Sequence, residues 1–327
     1  MAISNISARN NPVLQQVALG YQHDADMFIA QKILPEIKVE KLTGDLKTYG
    51  KDHLRIINTI AENGETIMLT HTVTHAQMWN IHNHELTAFM SERDADQLGP
   101  DQAKADFTEM NMETLLISRE NALAAFATNL SNYGANNKQS NSTTSLWSDF
   151  INSTPRQDII TMNEAVRKTC GRYPNRVIVS PTVVNYMVNH PQLRDAVMHI
   201  GESVLSLDKL KTILFPTYAA ADCEILVAMA QYNSAAKGQT AVMTDIWNDV
   251  IIFAYVNPAP NPRQHQTSFG YSFSRGKGSA VQVIPWKQQY SRENEFYITD
   301  RWEYDDVIIA AGSGSTIDAA AIISPVV

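Results

Sequence analysis

The chain has 327 residues, 44% of them hydrophobic and 18% charged, a composition that excludes a disordered or fibrous protein and leaves room for two domains or one large domain with extensions. A formal net charge of -8 argues against a general nucleic-acid binder, which needs an excess of Lys and Arg, although it does not exclude a local basic face. Two cysteines, Cys170 and Cys223, are too few for a disulfide framework; the longest apolar run, Val250–Val256, is far short of the ~18 residues of a membrane helix; and no secretory signal pattern opens the chain, so the bulk measures describe a cytosolic product.

Residues 1–40 open polar and asparagine-rich, then give a short apolar pattern through Val13, Leu14, Val17, Met27, Phe28, Ile29, Ile33 and Leu34, ended by Pro35. That pattern is too thin to form a core alone and reads as an arm lying along something else. From Glu36 to Leu86 the pattern is strand-like, with Thr66–Leu86 free of glycine and proline and rich in threonine, valine and isoleucine. Turn signals at Tyr49-Gly50-Lys51-Asp52 and Glu62-Asn63-Gly64 bracket Leu54, Ile56, Ile57 and Ile60. The simplest reading is a long extended excursion with an apolar tip, unstable unless another chain covers it.

An acid-rich block follows from Glu85 to Glu113 and leads into a long helix predicted over Asp101–Leu130, a stretch without glycine or proline that makes a rod of ~45 Å. Leu98-Gly99-Pro100 stands before it as a stop signal. Two apolar stripes are predicted on the rod, one through Ala103, Phe107, Met110, Thr114 and Ile117, the other through Met112, Leu116, Leu123, Phe126 and Leu130. Gly134–Ser145 is polar and of low complexity, and reads as an exposed loop at an internal boundary.

Ser153–Val256 alternates helix and strand. Thr154, Pro155 and Gln157 match an N-cap, a first-turn proline and a capping partner for a helix to about Thr169. Arg176–Val179 reads as a strand, Ser180-Pro181 opens a helix that His190-Pro191 closes, and Ser206 opens another through Leu214. Glu224–Ala230 and Asp249–Val256 are continuously apolar, as in strands covered on both faces. After Asn257-Pro258-Ala259-Pro260 come alternating strands at Ser268–Ser274, Ala280–Ile284 and Glu295–Ala310, then a small apolar tail, Gly312–Val327. Asn257–Arg292 carries Arg263, Arg275, Lys277, Lys287 and Arg292 and no acid. Its sign is opposite to that of the Glu85–Glu113 block, as on matched surfaces of neighbouring subunits.

Chemistry is harder to find. His71, His75, His82 and His84 could supply nitrogen ligands to zinc and so serve a metal-dependent hydrolase. In a strand, however, His71 and His75 stand ~13 Å apart, and His82 and His84 fall on the opposite face, so solvated polar residues on an extended arm fit the spacing better. Cys170 and Cys223 read as small buried hydrophobes. Gly276-Lys277-Gly278-Ser279 lacks the P-loop spacer and Gly312-Ser313-Gly314-Ser315 the nucleophile-elbow spacing, so both read as turns. No catalytic residue, metal or cofactor is expected.

The order arm, extended loop, acidic lead-in, long helix, mixed α/β segment and returning strands resembles the major capsid protein of tailed bacteriophages, the Hong Kong 97 capsid fold. The textual similarity is carried by Asn175-Arg176-Val177-Ile178-Val179-Ser180-Pro181, by Asp245-Ile246-Trp247 leading to Ile251–Val256, and by Arg301-Trp302-Glu303-Tyr304-Asp305-Asp306. The resemblance implies an α+β fold: an N-arm over 1–40, an extension loop over 41–84, a peripheral domain with a spine helix over 85–149, an axial domain over 150–256, and returning peripheral strands with a C-terminal tail over 257–327. It also implies a structural protein, not an enzyme, self-assembling into hexamers and pentamers of an icosahedral shell around double-stranded DNA. Implied partners are copies of itself, a separate scaffolding protein, a portal and a decoration protein, without a membrane; the implied location is the virion, after assembly in the bacterial cytoplasm. The subunit-interface residues it points to are Lys47, Lys51, Arg55, Ile56 and Ile57 in the extension loop, and Asn233, Lys237 and Gln239 in the loop at the capsomer centre. An encapsulin-type compartment is the alternative within the same fold.

Overall fold

Pro100–Thr128 forms a helix of 29 residues, α2, with the proline at its first position, where a missing N–H costs nothing. It belongs to a computed structural model that describes residues 27–49, 51–54, 56, 73–91, 100–198, 207–216, 223–259, 267–275, 282–288, 297–311 and 316–327. The helix buries one face, through Thr108, Met112, Leu115, Arg119, Glu120, Leu123, Ala124 and Ala127. The predicted second set turns inward as expected, with Leu116, Phe126 and Leu130 half-buried beside Met112 and Leu123. Of the first set, Met110 and Thr114 face outward and Ile117 packs against the core, while the side chains of Ala103 and Phe107 lie outside those described. The true stripe runs through Thr108, Arg119 and Glu120, three polar residues that a count of apolar spacing passes over.

Two five-stranded sheets flank this helix. The first carries β1 (Glu36–Val39), β11 (Ser268–Arg275), β13 (Tyr297–Ala311) and β12 (Gln282–Gln288) in that order, with β4 (His82–Ser91) also paired to β13. β1 and β11 are parallel, and the other pairings are antiparallel. Ile298–Glu303 of β13 is hydrogen-bonded to both β12 and β4, whereas Val307–Ala311 pairs with β11.

The second sheet runs β5 (Lys138–Gln139), β14 (Ala320–Ile323), β10 (Ile251–Ala254), β6 (Arg176–Val179) and β7 (Glu224–Val227). Period-two alternation divides it cleanly. Ile178, Leu226, Ile252, Ala254, Ala320 and Ile322 point to a core shared with α2, while Val177, Val179, Ile251, Phe253, Ala321 and Ile323 point to a second core. Four helices supply that second core: α3 (Pro155–Cys170), α4 (Pro181–Asn189), α5 (Pro191–Met198) and α6 (Leu207–Leu214). Each fully buried Val, Leu or Ile here stabilises by about 1.5–3 kcal/mol, which is why these strands are apolar on both faces.

Several local readings hold and several change. Ser180 caps α4 by accepting from the Val183 N–H, and α3 ends in Gly171 in the left-handed conformation at φ 78°, whose N–H donates to the Arg167 carbonyl. Thr154 makes no side-chain cap bond, so Pro155 at N1 is what remains of the predicted capping box. His190-Pro191 closes one helix and immediately opens another, α5. The polar segment 134–145 is not simply exposed: Asn137 and Asn141 are buried, and the Asn137 amide donates to the Ala320 carbonyl and to Thr169 Oγ1. The apolar tail supplies β14, an internal strand of the second sheet.

The arm's described end lies along its own subunit. Ile29, Ala30, Ile33 and Leu34, around the short helix α1 (Ala30–Ile33), are buried in the core that holds Leu123, Trp247 and Phe269. A pattern too thin to fold alone is stable here because it covers the exposed side of a larger core.

Candidate assembly surfaces

Between β1 and β4 the chain leaves the first sheet as a two-stranded ribbon, β2 (Thr43–Tyr49) paired antiparallel with β3 (Val73–Asn80), with a register shift between Leu46 and Lys47. Its root is clamped. The Trp79 indole stacks on Phe273 of β11, with ring centroids 5.2 Å apart and planes 6° from parallel, and its Nε1–H donates to the Lys41 carbonyl at 3.4 Å. The indole also covers Gly44, where an added Cβ would stand 2.0 Å from Trp79 Cζ2. Glycine is required at this position because an aromatic ring occupies the space of a side chain.

Beyond the root, apolar side chains stand bare: Met78 is 85% exposed, and Leu54 and Ile56 beyond β2 are 70% and 104% exposed. Lys47 pairs with His75 across the ribbon. Lys51 opens a 3-10 turn, Lys51–Leu54, and its Nζ donates to the Thr169 carbonyl at 2.5 Å. Arg55 and Ile57, predicted beside Ile56, lie outside the described residues.

The second predicted group sits on a hairpin of β8 (Gln231–Asn233) and β9 (Met243–Asp245). Asn233 Oδ1 accepts from the Ala235 and Val242 N–H groups, both at 3.0 Å, so this side chain shapes the loop. Lys237 and Gln239 are exposed on the loop, separated by Gly238 at φ 90°. Gln231 Nε2 donates to Asp245 Oδ1 at 2.6 Å and braces the base, where Met229, Val242 and Met243 are exposed. The structure places the two predicted groups on separate projections and brings neither to the other.

The residues that sequence reasoning missed lie buried on α2. Arg119 Nε donates to Asp306 Oδ2 of β13 at 3.0 Å, and Asp306 Oδ1 accepts a short hydrogen bond from Ser272 Oγ of β11. Its neighbour Glu120 accepts from the Ala30 N–H at 3.0 Å and from Trp247 Nε1–H at 2.8 Å. Burial pushes the Glu120 carboxyl above its ordinary value; the hydrogen bonds from Trp247, Ala30 and Ile29 and the charge of Arg119 pull the other way. One helical step thus ties the first sheet, the segment at Ala30 and the Trp247 indole to α2. The signal was present: Arg119 and Glu120 are the only charges between Leu115 and Ala127, and Arg119 continues the spacing of Met112, Leu115 and Leu123.

The described histidines do not converge on a metal. His75 lies in β3 and His82 and His84 in β4; the His84 ring stacks on Tyr304, with centroids 4.7 Å apart. Burial pushes the Tyr304 hydroxyl up to about 12. His71 lies outside the described residues, and among those described no group of three His, Cys, Asp or Glu side chains is placed to hold a metal ion. Of the two charged blocks, Glu85, Glu109 and Arg275 are seen to be exposed, while Asp94, Asp96, Arg263, Lys277 and Arg292 lie outside the described residues.

No family model matches the chain. A protein named major capsid protein, from Burkholderia phage BcepMu, is 27% identical over 283 residues, covering 83% of this chain and 85% of the relative. Among solved structures, a phage-related protein of Bordetella bronchiseptica RB50 matches with a TM-score of 0.70 at 22% identity, covering 97% of each chain. The encapsulin of a holo-SrpI complex from Synechococcus elongatus PCC 7942 matches with a TM-score of 0.53 at 10% identity, over 100% of this chain and 96% of that one. The structural likenesses concern the fold.

Proposed function

We infer that this chain, which has the Hong Kong 97 capsid fold, is a major capsid protein of a tailed bacteriophage, with a structural role in forming the shell. The observation that carries the reading is the ribbon: a two-stranded projection with Met78, Leu54 and Ile56 bare is a surface that a second copy of the chain must cover. The near full-length similarity to a protein named major capsid protein gives that second copy its setting.

In this reading subunits join first as hexamers and pentamers and then as a closed icosahedral head. The ribbon, with Lys47, Lys51, Arg55, Ile56 and Ile57, reaches a neighbour, and the hairpin loop with Asn233, Lys237 and Gln239 meets its copies around the capsomer centre. Residues 1–40 act as the N-arm, 41–84 as the extension loop, 85–149 and 257–327 as the peripheral domain and tail, and 150–256 as the axial domain. A separate scaffolding protein, a portal and a decoration protein complete the particle in the bacterial cytoplasm. Double-stranded DNA fills it without sequence-specific contacts.

Electron microscopy of the expressed chain, alone and with its scaffold, tests the reading. Capsomers or closed shells are the expected result. A chain that stays monomeric at high concentration under both conditions would refute it. The encapsulin likeness favours a second reading, a shell around a cargo enzyme. DNA within native particles supports the phage reading, and a packaged protein without DNA supports the compartment.

A further inference from the structure

We propose that Lys51 and the C-terminal end of α3 form a releasable latch, which holds the ribbon against its own subunit until a second copy of the chain takes the ribbon over. The proposal rests on the shell reading above and specifies how its assembly is timed.

The last turn of a helix leaves carbonyl groups without intrahelical donors and gathers the negative end of the helix dipole. In α3 the Gly171 N–H satisfies the Arg167 carbonyl, and the Thr169 carbonyl is met by the Lys51 ammonium, 118 residues away in sequence. The dipole favours a cation at this end. Arg167 and Lys168 also stand in this turn, and Arg172 follows it. Lys51 is therefore the most distant in sequence of several cations at the same helix end, and it brings the ribbon with it.

The contact is built to hold weakly. Lys51 is exposed, and among the described residues that follow it Leu54 is largely exposed and Ile56 wholly so. An exposed charge-to-dipole contact contributes little and is screened by salt. The opposite end of the ribbon is fastened to the body by the Trp79 stack on Phe273. A projection fixed at its root, held beyond β2, among the described residues, by a solvated hydrogen bond and carrying bare apolar residues is arranged to swing when a better apolar partner arrives.

Two measurements test the latch. First, an amine-reactive bis-ester is applied to a mixture of isotopically light and heavy subunits, before and after assembly, and Lys51–Lys168 bridges are identified by mass spectrometry. Lys168 is exposed and precedes Thr169, so a same-chain bridge reports the closed latch. The same-chain bridge is expected in soluble subunits and should fall in yield in particles. Second, the assembly lag is read by light scattering. Lys51→Met, which keeps the stem and removes the donor, should shorten the lag by roughly two- to five-fold, the factor an exposed charge contact can supply; Lys51→Arg should restore most of it.

A same-chain bridge missing from soluble subunits, or undiminished in particles, overturns the latch, as does a Lys51→Met lag equal to that of the wild type. These outcomes leave the shell reading intact. Wild-type chains that never form particles overturn the shell reading and the latch together.

Discussion

Arg119 and Glu120 are consecutive residues of one helix, both buried, and each is bound to a part of the chain that the other does not touch. Arg119 meets Asp306 in the first sheet, and Glu120 meets Trp247 and the backbone of Ala30 in the core that α2 shares with the second sheet. Neighbouring side chains on a helix diverge by about 100°, so two successive positions can address two bodies. The charges make the junction specific in register, because an ion pair and a doubly hydrogen-bonded carboxylate tolerate little sliding.

The ion pair predicts a large loss when one partner is removed. Arg119→Met leaves the Asp306 carboxylate buried with Ser272 as its remaining described partner and should cost about 3–5 kcal/mol. The double variant Arg119→Met/Asp306→Leu should recover most of that loss, since the uncompensated charge is gone. Denaturant unfolding of the three chains measures both; equal losses in the single and double variants would show that the pair's charge is not what matters.

Glu120 predicts a pH dependence with a definite sign. Its folded value is raised above the ordinary 4.5, so its contribution to stability is fully present below that value and is lost as the pH rises through the raised folded value. Glu120→Gln has no such titration, and its amide turns a donor toward either the Ala30 N–H or the Trp247 indole. The wild type should be the more stable chain, and its margin should widen as the pH falls from neutral toward 4.5. Melting temperatures across that range check the slope, and a margin that narrows on acidification would contradict it.

At the root of the ribbon, Gly44→Ala places a methyl group inside the Trp79 ring position. The indole must leave Phe273, and the ribbon must change its angle to the body. Near-ultraviolet circular dichroism should lose signal from this stacked pair while secondary structure is retained. An unchanged aromatic signal with normal particles would refute the clamp.

Ile56→Asp separates folding from assembly. The side chain is wholly exposed, so the isolated subunit should unfold at the wild-type denaturant concentration within about 0.5 kcal/mol. Shell closure should fail or give fragile shells, because the aspartate then enters an apolar contact without a partner. Normal, heat-stable particles would remove Ile56 from the subunit interface.

How much of this was legible depended on whether the cause was local. Ser180 before Pro181 and the doubly apolar strands around Leu226 and Ile252 are short-range signals with one structural answer, and they were read correctly. The face of α2 was misread at Met110 and Thr114 because its true face includes Thr108, Arg119 and Glu120, whose burial depends on Asp306, Trp247 and Ala30 far away in the chain. Asn137 is a similar case: an asparagine in a polar, low-complexity stretch is buried because the Ala320 carbonyl and Thr169 Oγ1 accept from it. Of the candidate interface residues, Ile56 announced itself by being apolar in an extended stretch. Asn233 was singled out by position alone and proves to be holding its own loop together.

The place of β14 sets a schedule for the protein's synthesis. Ile251–Ala254 pairs on one side with Ala320–Ile323, so the second sheet stays open along that edge until residues 320–323 have left the ribosome. Both cores remain short of Ala320–Ile323 until then. Long-range pairings of this kind form late and slowly. A growing chain therefore cannot offer a finished surface to the copies being made beside it on the same message before residues 320–323 have been made.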